Sequence, residues 1–106
     1  MLAAGAVNVL QADATRCAGI TGFLRVGALC EAWGISLSAL RTVAARAPLL
    51  TLTRVRHVEY CHDHARIEHM LFDGVLTTVH GALPPDLSRR GLGPAFKHAD
   101  ATRYTV

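Results

Sequence analysis

Apolar and polar positions change period along the chain, and each change predicts an element. Val7, Val9 and Leu10 form a short β-branched and aliphatic run that stops at Gln11-Ala12-Asp13, a strand with a carboxylate at its end. From Gly19 to Trp33, the residues Ile20, Phe23, Leu24, Gly27 and Ala28 recur at i, i+3, i+4, i+7 and i+8, which predicts an amphipathic helix with Arg25 and Glu31 off its buried stripe. Gly34 then supplies the stop, because glycine tolerates the left-handed conformation that ends helices, and Ile35 to Ala39 follows as a second strand. Two strands joined through a helix run parallel, so the segment is a βαβ unit with a right-handed crossover.

Beyond Ala39 the pattern weakens. Leu40 to Thr53 reads as a poor helix interrupted by Pro48, which removes a ladder donor and disfavours helical geometry at Ala47. Val55 to Tyr60 alternates outward and inward, a third strand running into Cys61-His62-Asp63-His64. Ala65 to Phe72 has a helical pattern with Ile67, Met70 and Leu71 on one side, and Arg66 and His69 on the exposed side. Asp73-Gly74 marks a turn, Val75 to Leu83 predicts a small hairpin around His80-Gly81, and Pro84-Pro85-Asp86 and Gly91-Leu92-Gly93-Pro94 mark loop. Asp100 to Tyr104 forms one helical turn.

Composition adds boundaries. The 106 residues are 51% hydrophobic and 18% charged, as in a soluble globular domain, but too few to close a (β/α)8 barrel of roughly 250 residues. No apolar run reaches the ~18 residues of a membrane span, and Met1 onward lacks the charged start and cleavage site of a signal peptide. The expectation is a cytoplasmic protein without a membrane partner. Net charge is +3, and the eleven basic residues are scattered rather than gathered into a stripe, which argues against a nucleic-acid partner. Cys17, Cys30 and Cys61 lack finger or redox spacing and read as free thiols.

Asp13, then Arg16-Cys17-Ala18-Gly19-Ile20-Thr21-Gly22-Phe23, then Gly34-Ile35-Ser36-Leu37-Ser38-Ala39, resembles the late barrel strands of the mandelate racemase group of the enolase superfamily, and the resemblance continues to Tyr104. It implies an α/β fold, a partial (β/α) barrel made of about the last three βα units plus an irregular carboxy-terminal tail. Residues 1–74 would be the barrel portion, and residues 75–106 a tail that in the family packs back toward a capping domain. Met1 would then correspond to a position deep inside a longer protein, an internal methionine at which a truncated gene starts.

The resemblance also implies chemistry. The family abstracts a proton alpha to a carboxylate, with magnesium stabilising the enediolate, and its acidic metal ligands stand on the third to fifth strands. A chain that begins at the sixth carries none of them, nor the lysine base of the second-strand region, so no cofactor is expected in this chain. Asp13 matches the aspartate of an Asp/His dyad in which the carboxylate orients the imidazole and raises its basicity. The histidine would stand where Leu40 stands, and leucine accepts no proton. Glu59, within His57-Val58-Glu59-Tyr60, matches a glutamate that contacts the substrate carboxylate. On the residues alone, Asp13 equally suits a turn cap and Glu59 a solvated strand position. His62 and His64 would share a face of an extended segment, which invites zinc, but a structural site needs four ligands; a polar loop at the barrel mouth is the preferred assignment.

Between Leu40 and Thr53 the resemblance lapses, and it returns at Val55. If Leu40 to Leu49 is encoded CTG CGC ACC GTC GCT GCA CGC GCA CCT CTG, reading one base later yields Cys-Ala-Pro-Ser-Leu-His-Ala-His-Leu, the kind of sequence the family carries after its Ser-Ala-His. Two compensating small deletions that shift the frame across this segment would explain the lost histidine and the poor helical pattern, since out-of-frame residues are not selected to pack.

The expected function is therefore the carboxy-terminal part of a mandelate racemase-like acid-sugar dehydratase or racemase, inactive alone, whose parent acts on a small carboxylate or acid sugar. The alternative is a non-catalytic remnant or a self-associating interaction module, a homo-oligomer formed through an exposed strand edge. New chemistry at Cys61 to His64 ranks last. Strands built for cover on both faces predict marginal stability and a tendency to dimerise.

Overall fold

The computed structural model describes residues 1–40 and 49–105. These divide into two units, Met1–Tyr60 and Cys61–Val106. Most of the segment expected to be a Pro48-interrupted helix, and with it most of the frame-shift hypothesis, lies outside the described residues.

In the first unit a 3-10 turn, Leu2–Ala4, ends at Gly5 and leads to strand β1, Val9–Ala12. Helix α1, Gly19–Ala32, follows, then β2, Ser36–Leu40, and β3, Val55–Glu59. The three strands form one parallel sheet in the order β1-β2-β3, with Leu10 opposite Leu37 and Ala12 opposite Ala39. This is the α/β arrangement and the βαβ unit that the hydrophobic pattern predicts. β1 starts two residues later than the apolar run.

Gly34 ends α1 as expected. At φ 67° it lets its own N–H reach the Glu31 carbonyl at 3.1 Å, while Ile35 N–H reaches the Cys30 carbonyl at 2.9 Å. Two orphan carbonyls of the last turn are thereby satisfied by the paired bonds of a Schellman motif. The start of the helix has no side-chain cap; Ala18 and Gly19 both take positive φ and swing the chain into it.

The core of this unit is Phe23 and Cys30 from α1, Leu37 and Ala39 from β2, and Ala14, with Leu10, Val26, Leu52, Val55 and Val58 packed around it. The buried stripe of α1 is thus Phe23, Gly27 and Cys30, not the full expected set. Ile20 and Leu24 are 38% and 37% exposed, and Ala28 is exposed. Helical period alone does not separate the centre of a stripe from its flank, and only the centre meets the sheet.

Strand β3 departs from simple alternation. Leu37 is opposite Val55 but Ser38 is opposite His57, so Arg56 is an extra residue in the ladder. The bulge turns Val55 onto the same side as Val58, against the core, and leaves His57 and Glu59 on the other face.

The second unit opens with helix α2, His62–Leu71. It starts three residues earlier than its apolar pattern suggests, and Cys61 to His64, expected to be a loop, forms its N-cap and first turn. Asp63 near the start and His69 near the end both suit the helix dipole. Phe72–Asp73, β4, pairs antiparallel with Ala95–Phe96, β5, and the rings of Phe72 and Phe96 meet edge to face at 5.4 Å. His98 stacks edge to face on Phe96 at 4.8 Å. The expected hairpin is reduced to a bridge between Val79 and Ala82, turned by His80 and Gly81 at φ 49° and 76°. Arg89 is held by Asp73 at 2.9 Å and Asp86 at 3.5 Å, and lies across Gly74. The final turn is a short helix, His98–Ala101 (α3), continued as 3-10 through Tyr104.

Candidate functional site

A parallel sheet presents its strand ends and its uncovered face for chemistry, and both candidate carboxylates lie there. Asp13 follows β1 directly. Its Oδ1 accepts the Thr15 N–H at 2.8 Å and the Thr15 hydroxyl at 2.7 Å, and its Oδ2 is 3.5 Å from Arg16 Nε. The Asp13 carbonyl also accepts the N–H groups of Arg16 and Cys17 at 3.0 Å. Asp13 therefore closes the loop between β1 and α1, the capping role that its residue type alone allows. Its side chain is 13% exposed and lines a cavity of about 560 Å³ together with Gln11, Arg16, Cys17, Val26 and Leu40. Leu40, at the end of β2, thus lines the same cavity as Asp13, whose carboxylate oxygens are engaged by Thr15 and Arg16.

Glu59 ends β3, and its Oε2 accepts Gln11 Nε2 at 2.6 Å. It lines a second cleft, of about 360 Å³, with Val9, Gln11, Ser38 and His57. The register sets Gln11 beside Ser38 and Ser38 beside His57, so three polar side chains cross the sheet in a row on the face away from the core. Gln11 lines both clefts and donates to Glu59 in one of them.

Gln11, Ser38 and His57 were not picked out by sequence reasoning, although period two carries the signal. Val9 and Gln11 share one face while Leu10 and Ala12 share the other, and a polar side chain on a strand facing away from an apolar core belongs to a solvated or ligand-facing layer. For His57 the bulge at Arg56 hides that signal.

The Cys61 to His64 cluster does not assemble a site. In a helix His62 and His64 point about 200° apart, so they do not share a face. Among the described residues no three His, Cys, Asp or Glu side chains gather where they could hold a metal ion. Asp13 and Glu59 accept from Thr15 and Gln11, and among the described residues no third carboxylate gathers with them, so these residues by themselves do not make up a magnesium site and no step is routed through one.

Comparison with known proteins gives the family of the fold. Residues 1–101 match the family described as enolase C-terminal domain-like, and the chain belongs to that family. A mandelate racemase/muconate lactonizing enzyme-like protein from Rubrobacter xylanophilus superimposes with a TM-score of 0.86 at 44% identity, over 94% of this chain and 28% of its own. A member of the enolase superfamily from Agrobacterium tumefaciens matches at 28% identity with a TM-score of 0.65, over 79% of this chain and 23% of its own. A Sinorhizobium meliloti structure shares the fold at 22% identity and a TM-score of 0.78, over 95% of this chain and 28% of its own. The chain thus spans less than a third of the length of these relatives. Comparison with curated proteins returned no match. Among the described residues, no helix is long and apolar enough to cross a membrane.

Proposed function

We propose that this chain is the carboxy-terminal part of a mandelate racemase-like enzyme barrel, an acid-sugar dehydratase or racemase, and that by itself it performs no proton abstraction. The observation that carries this is Leu40 beside Asp13 in one cavity. In this reading Asp13 would orient and charge-stabilise an imidazole at position 40, but a leucine side chain neither takes nor returns a proton. Glu59, on the adjacent cleft with Gln11, Ser38 and His57, is the group proposed to meet the substrate end of a small carboxylate or acid sugar. The hydroxyl-rich body of such a ligand suits this hydrogen-bonding row.

The test is exchange of the alpha proton. The chain is incubated with a panel of aldonates and aldarates in D2O with magnesium present, and loss of the alpha-proton resonance is followed by NMR alongside keto-acid formation. No exchange above the protein-free rate is expected. Exchange catalysed by the chain as it stands refutes the proposal.

A further inference from the structure

The amino-terminal end of the sheet holds a polar cleft that the candidate chemistry at Asp13 and Glu59 does not use. Because the three strands are parallel, those two carboxylates lie at their carboxy-terminal ends, and Ser36 of β2 and Val55 of β3 open the other end. Ser36, Val55 and Arg56, with Glu31 from the last turn of α1 and Thr53 and Arg54 from the segment entering β3, line a cleft of about 450 Å³. All of these but Val55 are polar.

Two guanidinium groups thus stand against one carboxylate, and their surroundings differ. Arg54 Nη1 donates to the Gly34 carbonyl at 3.2 Å, which uses one of its five N–H donors and fixes the group across the turn after α1. Glu31 accepts the Thr53 hydroxyl at 3.1 Å. Neither the Arg56 guanidinium nor the Ser36 hydroxyl has a hydrogen bond or ion pair among the described residues. The bulge explains how Arg56 comes to be there. Val55 stays on the core and His57 takes the other face, so Arg56 is spare to the ladder and joins Arg54 in the cleft.

An excess of positive charge in a cleft concentrates anions, and a guanidinium fork matches phosphate oxygens bidentately. Arg54, Arg56 and Ser36 bring three donor groups, as many as a phosphate monoester has terminal oxygens, and their two positive charges match its dianion. The volume falls in the range of small-molecule pockets, roughly 300–1,000 Å³, so the organic body of the ester is accommodated with its phosphoryl group. We infer that this cleft binds a phosphate monoester, held by Arg54, Arg56 and Ser36 at the end of the sheet opposite the two candidate carboxylates. The inference does not depend on the proposed proton chemistry, and either can fail without the other.

The probes are glycerol 3-phosphate, inorganic phosphate and glycerate, each titrated into the 106-residue chain at constant ionic strength while the arginine Nε–H resonances are followed by NMR. Saturable shifts of Arg54 and Arg56 are expected with glycerol 3-phosphate, weaker binding with inorganic phosphate, and none with glycerate. Arg56→Gln should weaken binding at least tenfold, whereas Arg25→Gln, the same charge change on α1 outside the cleft, should leave it unchanged. Glu31→Gln keeps an acceptor for Thr53 and removes the repelling charge, so it should tighten binding several-fold. The Arg56→Gln chain should keep the parent Tm in chloride yet lose the rise in Tm that glycerol 3-phosphate gives the parent, which separates lost binding from lost folding. No saturable shift, glycerate or inorganic phosphate bound as tightly as the ester, or Arg25→Gln as damaging as Arg56→Gln would overturn the inference.

Discussion

Gly22 offers a test in which two physical effects predict opposite signs. It lies inside α1, where alanine has the higher helix propensity, and that effect alone would stabilise Gly22→Ala by about 1 kcal/mol. The methyl group, however, would be driven into the backbone carbonyl of Cys17, with the Ala18 side chain close behind. Overpacking costs about 1–3 kcal/mol, and more when the obstacle cannot rotate away. Here it is main chain tied by the Cys17 N–H to the Asp13 carbonyl at 3.0 Å. The steric effect wins, with a net loss of roughly 2 kcal/mol, or a fall in Tm of roughly 10 °C for a domain this small. Gly27→Ala is the internal control. It is the same change in the same helix, but its methyl group meets the end of the Leu52 side chain, which can move, so its cost should be smaller. Urea and thermal unfolding followed by circular dichroism measure both. Because the Gly22 variant must displace the loop from Asp13 to Ala18, the Thr15 amide that bonds Asp13 should shift in the NMR spectrum of that variant and not in the control. A Gly22→Ala protein as stable as the parent, or no less stable than Gly27→Ala, would refute the reasoning.

Three further outcomes are expected. Introducing Leu40→His places an imidazole beside Asp13, and its pKa should rise above the ordinary ~6.5 because the carboxylate favours the charged form; adding Asp13→Asn should bring it down, and an NMR titration in which the second change has no effect would count against the proposed dyad geometry. The hydrogen bond and charge of Arg89 hold the Asp73 carboxyl below its usual range. Since the folded-state pKa is the lower one, the contribution is present at neutral pH and is lost as pH falls from the ordinary carboxylate range through the folded value, so Asp73→Asn should flatten the acid limb of the stability profile; an unchanged acid limb would disprove the link. Burial pushes the Cys30 thiol up, so a disulfide reagent at pH 8 should modify Cys17 and Cys61 quickly and Cys30 only on unfolding, and three equal rates would show that the core opens readily.

How far the chain could be understood without coordinates depends on how local each feature is. The parallel βαβ unit, the Gly34 stop and the resemblance around Asp13 were legible because strand alternation, helical period and a glycine in left-handed conformation are written within a few consecutive residues. That position 40 carries leucine, where the proposed dyad would need a base, was legible in the same way, directly after Ser38-Ala39. Less local features were not. The Cys61 to His64 stretch has no apolar period of its own, and its helical state follows from continuity with Ala65 to Leu71. The clasp of Arg89 on Asp73 joins residues sixteen apart across irregular chain, and no period announces it.

By itself, then, the sequence determined the elements, their order and the identity of the groups that can do chemistry: Asp13 and Glu59 as carboxylates, and no base at position 40. Only the tertiary structure decided which of those groups meet. It put Leu40 and Asp13 on one cavity, and joined Gln11 to Glu59, forty-eight residues away in the chain. It also decided which flank of α1 is covered, because a helix carries its apolar residues around more than one face and the sheet can bury only the centre. The physical reason is the same in each case: period and propensity act between neighbours along the chain, whereas register, bulges and packing act between neighbours in space.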